Sequence, residues 1–141
     1  MKVTMLLADA AQAVSGKLYI LGGGWSIIGT DPTPTAIAIK IDVPWHEANK
    51  RHRIKLALVT EDGEPLIVPT PIGDRPLELV GEFEAGRPPG LKAGSNLDVV
   101  LALNIGPLPL KPDSRYVWRC FINEDTKEDW QLAFTTRPAK S

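Results

Sequence analysis

Leu97 to Ile105 reads LDVVLALNI, with Leu97, Val99, Leu101, Leu103 and Ile105 at every second position. Successive side chains of a strand point to opposite faces, so this period lays those residues on one side. The same alternation returns on either side of it. Ala36–Val43 reads AIAIKIDV, Arg53–Thr60 reads RIKLALVT and Leu77–Ala85 reads LELVGEFEA. Tyr116–Asn123 reads YVWRCFIN and Trp130–Thr136 reads WQLAFTT. Each stretch can set one apolar face on a core and the other toward water. The pattern predicts an all-β domain.

Shorter segments fill the gaps. Val3–Ala8 reads as a first strand, Leu18–Leu21 as a second, and Trp25–Ile28 as a brief pairing. Asp9–Ser15 is polar and alanine-containing, which predicts a connection with at most one helical turn. Pro44–His52 is the best candidate for a short helix, because proline fits the first turn, where its missing N–H is not needed. Glu61-Asp62-Gly63 predicts a hairpin turn. The returning strand, Glu64–Val68, contains Pro65 and runs into Pro69, both of which lack a ladder donor and point to an edge. Eight or nine strands at this spacing predict a two-sheet antiparallel β-sandwich, immunoglobulin-like or jelly-roll. The whole of 1–141 reads as one domain, with Arg137–Ser141 as a frayed tail.

Composition narrows the function. A chain of 141 residues can build a core without staples, and its single cysteine, Cys120, cannot form an internal bridge. Both favour a reducing compartment and a cytoplasmic location. The formal net charge is −1, with 16 basic and 17 acidic residues. That leaves no cationic field to hold phosphates, so nucleic-acid binding is not expected. No window approaches the ~18 apolar residues of a membrane span. The opening residues Met1–Ala8 are too short and too weakly charged for a leader peptide, and read as a core strand.

Catalytic motifs fail on spacing. Gly22-Gly23-Gly24 has Ile27 where a dinucleotide fingerprint needs its third glycine, and no helix follows. His46-Glu47 begins a zinc motif whose second histidine would fall on Lys50. Cys120 shares a predicted core face with Trp118 and Ile122, unlike the exposed, electropositive setting of a reactive thiolate. Glu78, Glu82 and Glu84 share an outward face, and read as a solvated stripe pairing with Lys40, Lys55 or Arg119 across strands. Lys50-Arg51-His52-Arg53 reads as the basic end of the short helix. No catalytic residue, metal ligand or cofactor is expected.

The remaining signals concern contact. Trp118 and Trp130 alternate into the predicted core. Trp25 and Trp45 stand beside loops, where aromatic rings can anchor a partner or stack on a sugar. Arg87 and Lys92 lie in the proline-stiffened loop Gly86–Asn96, and Arg51 in the basic run. Trp25, Trp45, Arg51, Arg87 and Lys92 are therefore the candidate contact residues.

Three stretches carry a family resemblance: Leu7–Gln12 with Gly16–Trp25, Gly86–Leu91 through Asn104–Leu110, and Tyr116-Val117-Trp118 with Trp130. Together they resemble an uncharacterised bacterial family of small β-sandwich proteins, a domain of unknown function. The resemblance implies a bacterial, soluble β domain and brings no catalytic residue. The expected function is a non-enzymatic protein–protein interaction module, with self-association through edge strands as one form. A small-ligand or carbohydrate-binding module is the alternative.

Overall fold

Ile37, Ile39, Ile41 and Val43, one side of the AIAIKIDV stretch, are all 0% exposed in the computed structural model, which describes residues 1–31 and 33–139. They lie on an inner strand of an all-β fold with eleven strands among the described residues. These are β1 (Lys2–Val14), β2 (Lys17–Gly23), β3 (Ile27–Ile28), β4 (Thr35–Val43), β5 (Arg51–Thr60) and β6 (Ile67–Thr70). After them come β7 (Gly73–Pro76), β8 (Glu78–Glu84), β9 (Leu97–Ile105), β10 (Arg115–Ile122) and β11 (Gln131–Thr136).

The strands form a four-stranded sheet in the order β2-β1-β4-β9, a five-stranded sheet β3-β11-β10-β5-β8, and a ribbon β6-β7. All pairs are antiparallel except β3 with β11. One apolar cluster draws on both larger sheets. Val3, Leu7 and the isoleucines of β4 meet Leu56 and Leu58 of β5, Trp118 and Cys120 of β10, and Phe134 of β11. Burying each large aliphatic side chain contributes about 1.5–3 kcal/mol.

The four-stranded sheet curls. β1 pairs with β4 only as far as Ala8↔Ala36, and then runs on to Val14 beside β2. Past that point the Asn104 carboxamide of β9 takes over. Its Oδ1 accepts from the Ala11 N–H at 3.2 Å, and its Nδ2 donates to the Ala11 carbonyl at 2.8 Å. Ala8, Ala11, Ala36 and Ala38 fill the concavity as a second small cluster with Leu18 and Ala102. Methyl-sized side chains allow the close approach that such a bend demands. Ser15 and Gly16, at φ 51° and 73°, close the β1–β2 hairpin in the two-residue turn whose twist matches its strands.

Several expectations are corrected. Eleven strands stand among the described residues rather than eight or nine: β7 was not expected, and the brief pairing expected over Trp25–Ile28 is the two-residue strand β3. Asp9–Val14 is strand, not a helical turn, since β2 offers it a ladder that outweighs the helix preference of alanine. The helix predicted over 44–52 is a single 3-10 turn, Trp45–Glu47, and the basic run after it opens β5. His52, expected on a solvated helix end, is buried on that strand, 2% exposed. The strand expected over Glu64–Val68 bridges β5 only at Val59↔Pro65, and from Ile67 pairs with β7 instead. Gly81 stands in regular register opposite Ile54, not at a bulge. Of the tail expected over Arg137–Ser141, Lys140 and Ser141 lie outside the described residues.

Candidate functional site

Pro44 ends β4, and the 3-10 turn after it lays the Trp45 ring half-buried against the core edge. The Gly86–Asn96 loop brings Arg87 over that ring, with the guanidinium carbon 4.4 Å from its centroid. Arg87 Nη2 also donates to the Trp45 carbonyl at 2.8 Å. A stack of this kind contributes about 0.5–1 kcal/mol at an exposed site. The pair fastens the loop to the turn and covers one face of the indole.

The other candidate residues stand apart from this pair. Arg51, exposed at the start of β5, has its Nε 3.5 Å from Glu82 Oε2 on β8. Lys92 is exposed, and its carbonyl accepts from the Ser95 N–H at 3.1 Å and from Ser95 Oγ at 2.6 Å, which closes a loop turn. Trp25 meets Phe134 edge-on at 6.2 Å. Its Nε1 is buried without a partner among the described residues, beside a small cleft lined by Ile28, Thr35, Leu108 and Leu110. Thus Trp45 and Arg87 are joined as a unit, while Trp25 is engaged elsewhere.

The chemistry-bearing residues are arranged as structure. Burial pushes the Cys120 thiol up to about 11, far from a nucleophile's range. Glu78, Glu82 and Glu84 are exposed along β8, where the expected pairings give way to the Arg51–Glu82 contact. Lys40 instead bonds Asp42 and Asp98, and these bonds raise its pKa. Among the described residues, no group of three His, Cys, Asp or Glu side chains could hold a metal ion, and no helix is long and apolar enough to cross a membrane.

One surface escaped the sequence reading. β2 is an edge strand, paired on one side only with β1. Tyr19 is 57% exposed, Ile20 40% and Leu21 70%. The signal was legible: Leu18-Tyr19-Ile20-Leu21 has no charge and no alternation, so it is apolar on both faces. The other edges are blunted in ways proteins use to prevent strand addition. β8 carries the three glutamates, β3 has two residues, β9 carries Asp98 and exposes none of its apolar side chains, and the β6–β7 ribbon carries Pro69 and Pro76.

Residues 3–135 match the model of a family of unknown function, DUF6941. No curated protein matches the chain.

Proposed function

Because the chain belongs to that family of unknown function, whose match covers nearly its whole length, we propose its role from the surface it presents: it is a non-enzymatic protein–protein interaction module. The supporting observation is the edge strand β2, whose Leu18–Leu21 run carries no charge and leaves Tyr19, Ile20 and Leu21 exposed. An unprotected apolar edge offers a row of backbone donors and acceptors together with side chains to cover, which is what strand addition uses. Of the loop residues, Trp45 and Arg87 are joined as a unit, while the exposed Arg51 and Lys92 stand apart from it. The ligand-binding alternative has less support, since Arg87 covers one face of Trp45 and Trp25 leans on Phe134. For the architecture we propose a two-sheet sandwich, which the apolar cluster shared by both larger sheets supports. A bacterial, cytoplasmic setting is part of the same reading, and the buried lone thiol of Cys120 favours it.

The test is co-expression of tagged and untagged full-length chains in the native cell, followed by capture and mass spectrometry. A stoichiometric protein, a second copy included, that disappears with Tyr19→Asp/Leu21→Asp but survives Arg87→Ala supports the reading. Capture of nothing above background sinks it.

A further inference from the structure

We propose that the partner of β2 is a second copy of this chain, joined by antiparallel pairing of β2 with β2 about a two-fold axis at Tyr19. The inference rests on the interaction reading above and names the partner.

The backbone orientation comes from Asn104. Its carboxamide takes both the N–H and the C=O of Ala11. Ala11 therefore points its backbone groups away from β2. In an antiparallel ladder, residues directly opposite each other point the same way, either both toward the partner strand or both outward. Ile20 stands opposite Ala11, and Leu18 opposite Ala13, in the same alternation. Leu18 and Ile20 hence present their N–H and C=O groups to the open edge, while Lys17, Tyr19 and Leu21 turn theirs to β1.

The register follows from symmetry. Gly22, at φ 61°, ends the regular part of β2, and a Cβ there would strike the Asp9 carboxylate. The regular part is Lys17–Leu21. A two-fold pairing that uses all of it must centre on Tyr19. Leu18 then faces Ile20 of the other copy, and Ile20 faces Leu18, with both residues of each pair offering outward backbone groups. Four hydrogen bonds result, two per pair. Tyr19 meets Tyr19 in the closer, non-hydrogen-bonded class of pair, and Leu21 lies under the aliphatic stem of Lys17. The most exposed apolar side chains of the strand are covered by this one operation. The only charge in it, Lys17, is set opposite an apolar residue, never opposite its own copy. Two four-stranded sheets become one sheet of eight, and closed two-fold symmetry stops the assembly at two.

Cross-linking tests the register. Tyr19→Cys puts two exposed thiols at about 4.5 Å between Cα atoms, within disulfide range. Cys120 is buried and stays out of the reaction. Mild oxidation of full-length Tyr19→Cys should give a covalent dimer in near-complete yield. Leu6→Cys, exposed on β1, should give little. Equal yields from the two would mean random collision and overturn the proposal. Sedimentation of the unmodified chain should show a concentration-dependent dimer. Tyr19→Asp, which sets two carboxylates face to face, should be monomeric at every concentration while keeping its thermal transition. Ile20→Pro removes an outward N–H without touching the β1 ladder, and should also be monomeric. An unmodified chain that is monomeric throughout overturns the second copy as partner. If such a monomer still captures another protein that Tyr19→Asp/Leu21→Asp releases, the interaction reading stands alone. If it captures nothing, both fall.

Discussion

His52 Nδ1 lies 3.0 Å from the side-chain nitrogen of Asn123, and that contact fixes the tautomer of a buried imidazole. The orientation of the Asn123 amide is set from its other end, where Oδ1 accepts from the Arg53 N–H at 3.0 Å. Its NH2 group must then donate to Nδ1, which leaves Nε2 to carry the proton and donate to the Glu47 carbonyl at 3.1 Å. The ring stacks on Phe83 at 5.2 Å. One histidine thus ties β5 to the loop after β10 and to the 3-10 turn that holds Trp45.

Asn123 sits at φ 51°, a left-handed conformation that asparagine tolerates better than most residues. Asn123→Ala should destabilise the protein by about 1–3 kcal/mol, since it orphans His52 Nδ1 and the Arg53 N–H and strains the backbone. Asn123→Gly relieves the strain and should cost less. Urea denaturation of both variants separates the two contributions; equal stability of the alanine variant and the parent would refute the assignment.

Asn104 replaces the strand that β1 lacks beyond Ala8. Asn104→Ala should cost about 1–2 kcal/mol and loosen only the hairpin. Amide exchange at Ala11 should accelerate, with the β4 amides near Ile39 unchanged. Uniform acceleration across the four-stranded sheet would contradict this local role.

Cys120 is 0% exposed, and burial raises its pKa from 9.0 to about 11. The folded state therefore holds the proton at a pH where the unfolded chain has lost it. This contribution to stability is fully present below about 9 and is lost as pH rises toward about 11. A thiol reagent at pH 8 should leave the native chain unlabelled and modify it at one site in denaturant. Cys120→Ala should flatten the alkaline limb of the stability profile; an unchanged limb would assign it to other groups.

Arg87→Ala removes both the stack on Trp45 and the bond to its carbonyl. The cost should be no more than about 1 kcal/mol, because the pair is exposed. The visible effect should be a red-shifted tryptophan emission and faster exchange in residues 86–96. Arg87→Lys should recover little of it, since a lysine lacks the planar donor fork. Full recovery by lysine would mean that charge alone holds the loop.

The fold was legible wherever burial and period agreed. Tyr116, Trp118, Cys120 and Ile122 alternate in the sequence and are all buried on β10. Legibility failed where a partner elsewhere in the chain decides the outcome. Asp9–Val14 has the composition of a helical turn, and only its pairing with β2 and Asn104 makes it strand. His52 reads as one member of a basic run, and it is interior through partners distant in sequence, Phe83 and Asn123. Of the candidate site, the pairing of Trp45 with Arg87 was accessible as a guess about loops. For β2, the uncharged Leu18–Leu21 run was legible, but that it borders no second strand among the described residues was not.

The curled sheet also bears on synthesis at the ribosome. The β1–β2 hairpin closes locally, yet β1 must wait for Thr35–Val43, and β4 for Leu97–Ile105. At ~5–20 residues per second, the nascent hairpin stays without the strands it curls over for several seconds. Its apolar edge is exposed throughout that delay, when neighbouring chains on one messenger are also unfinished. Growth conditions that slow folding should therefore favour wrong strand additions at β2, and a chaperone that shields emerging apolar segments would have its work concentrated there.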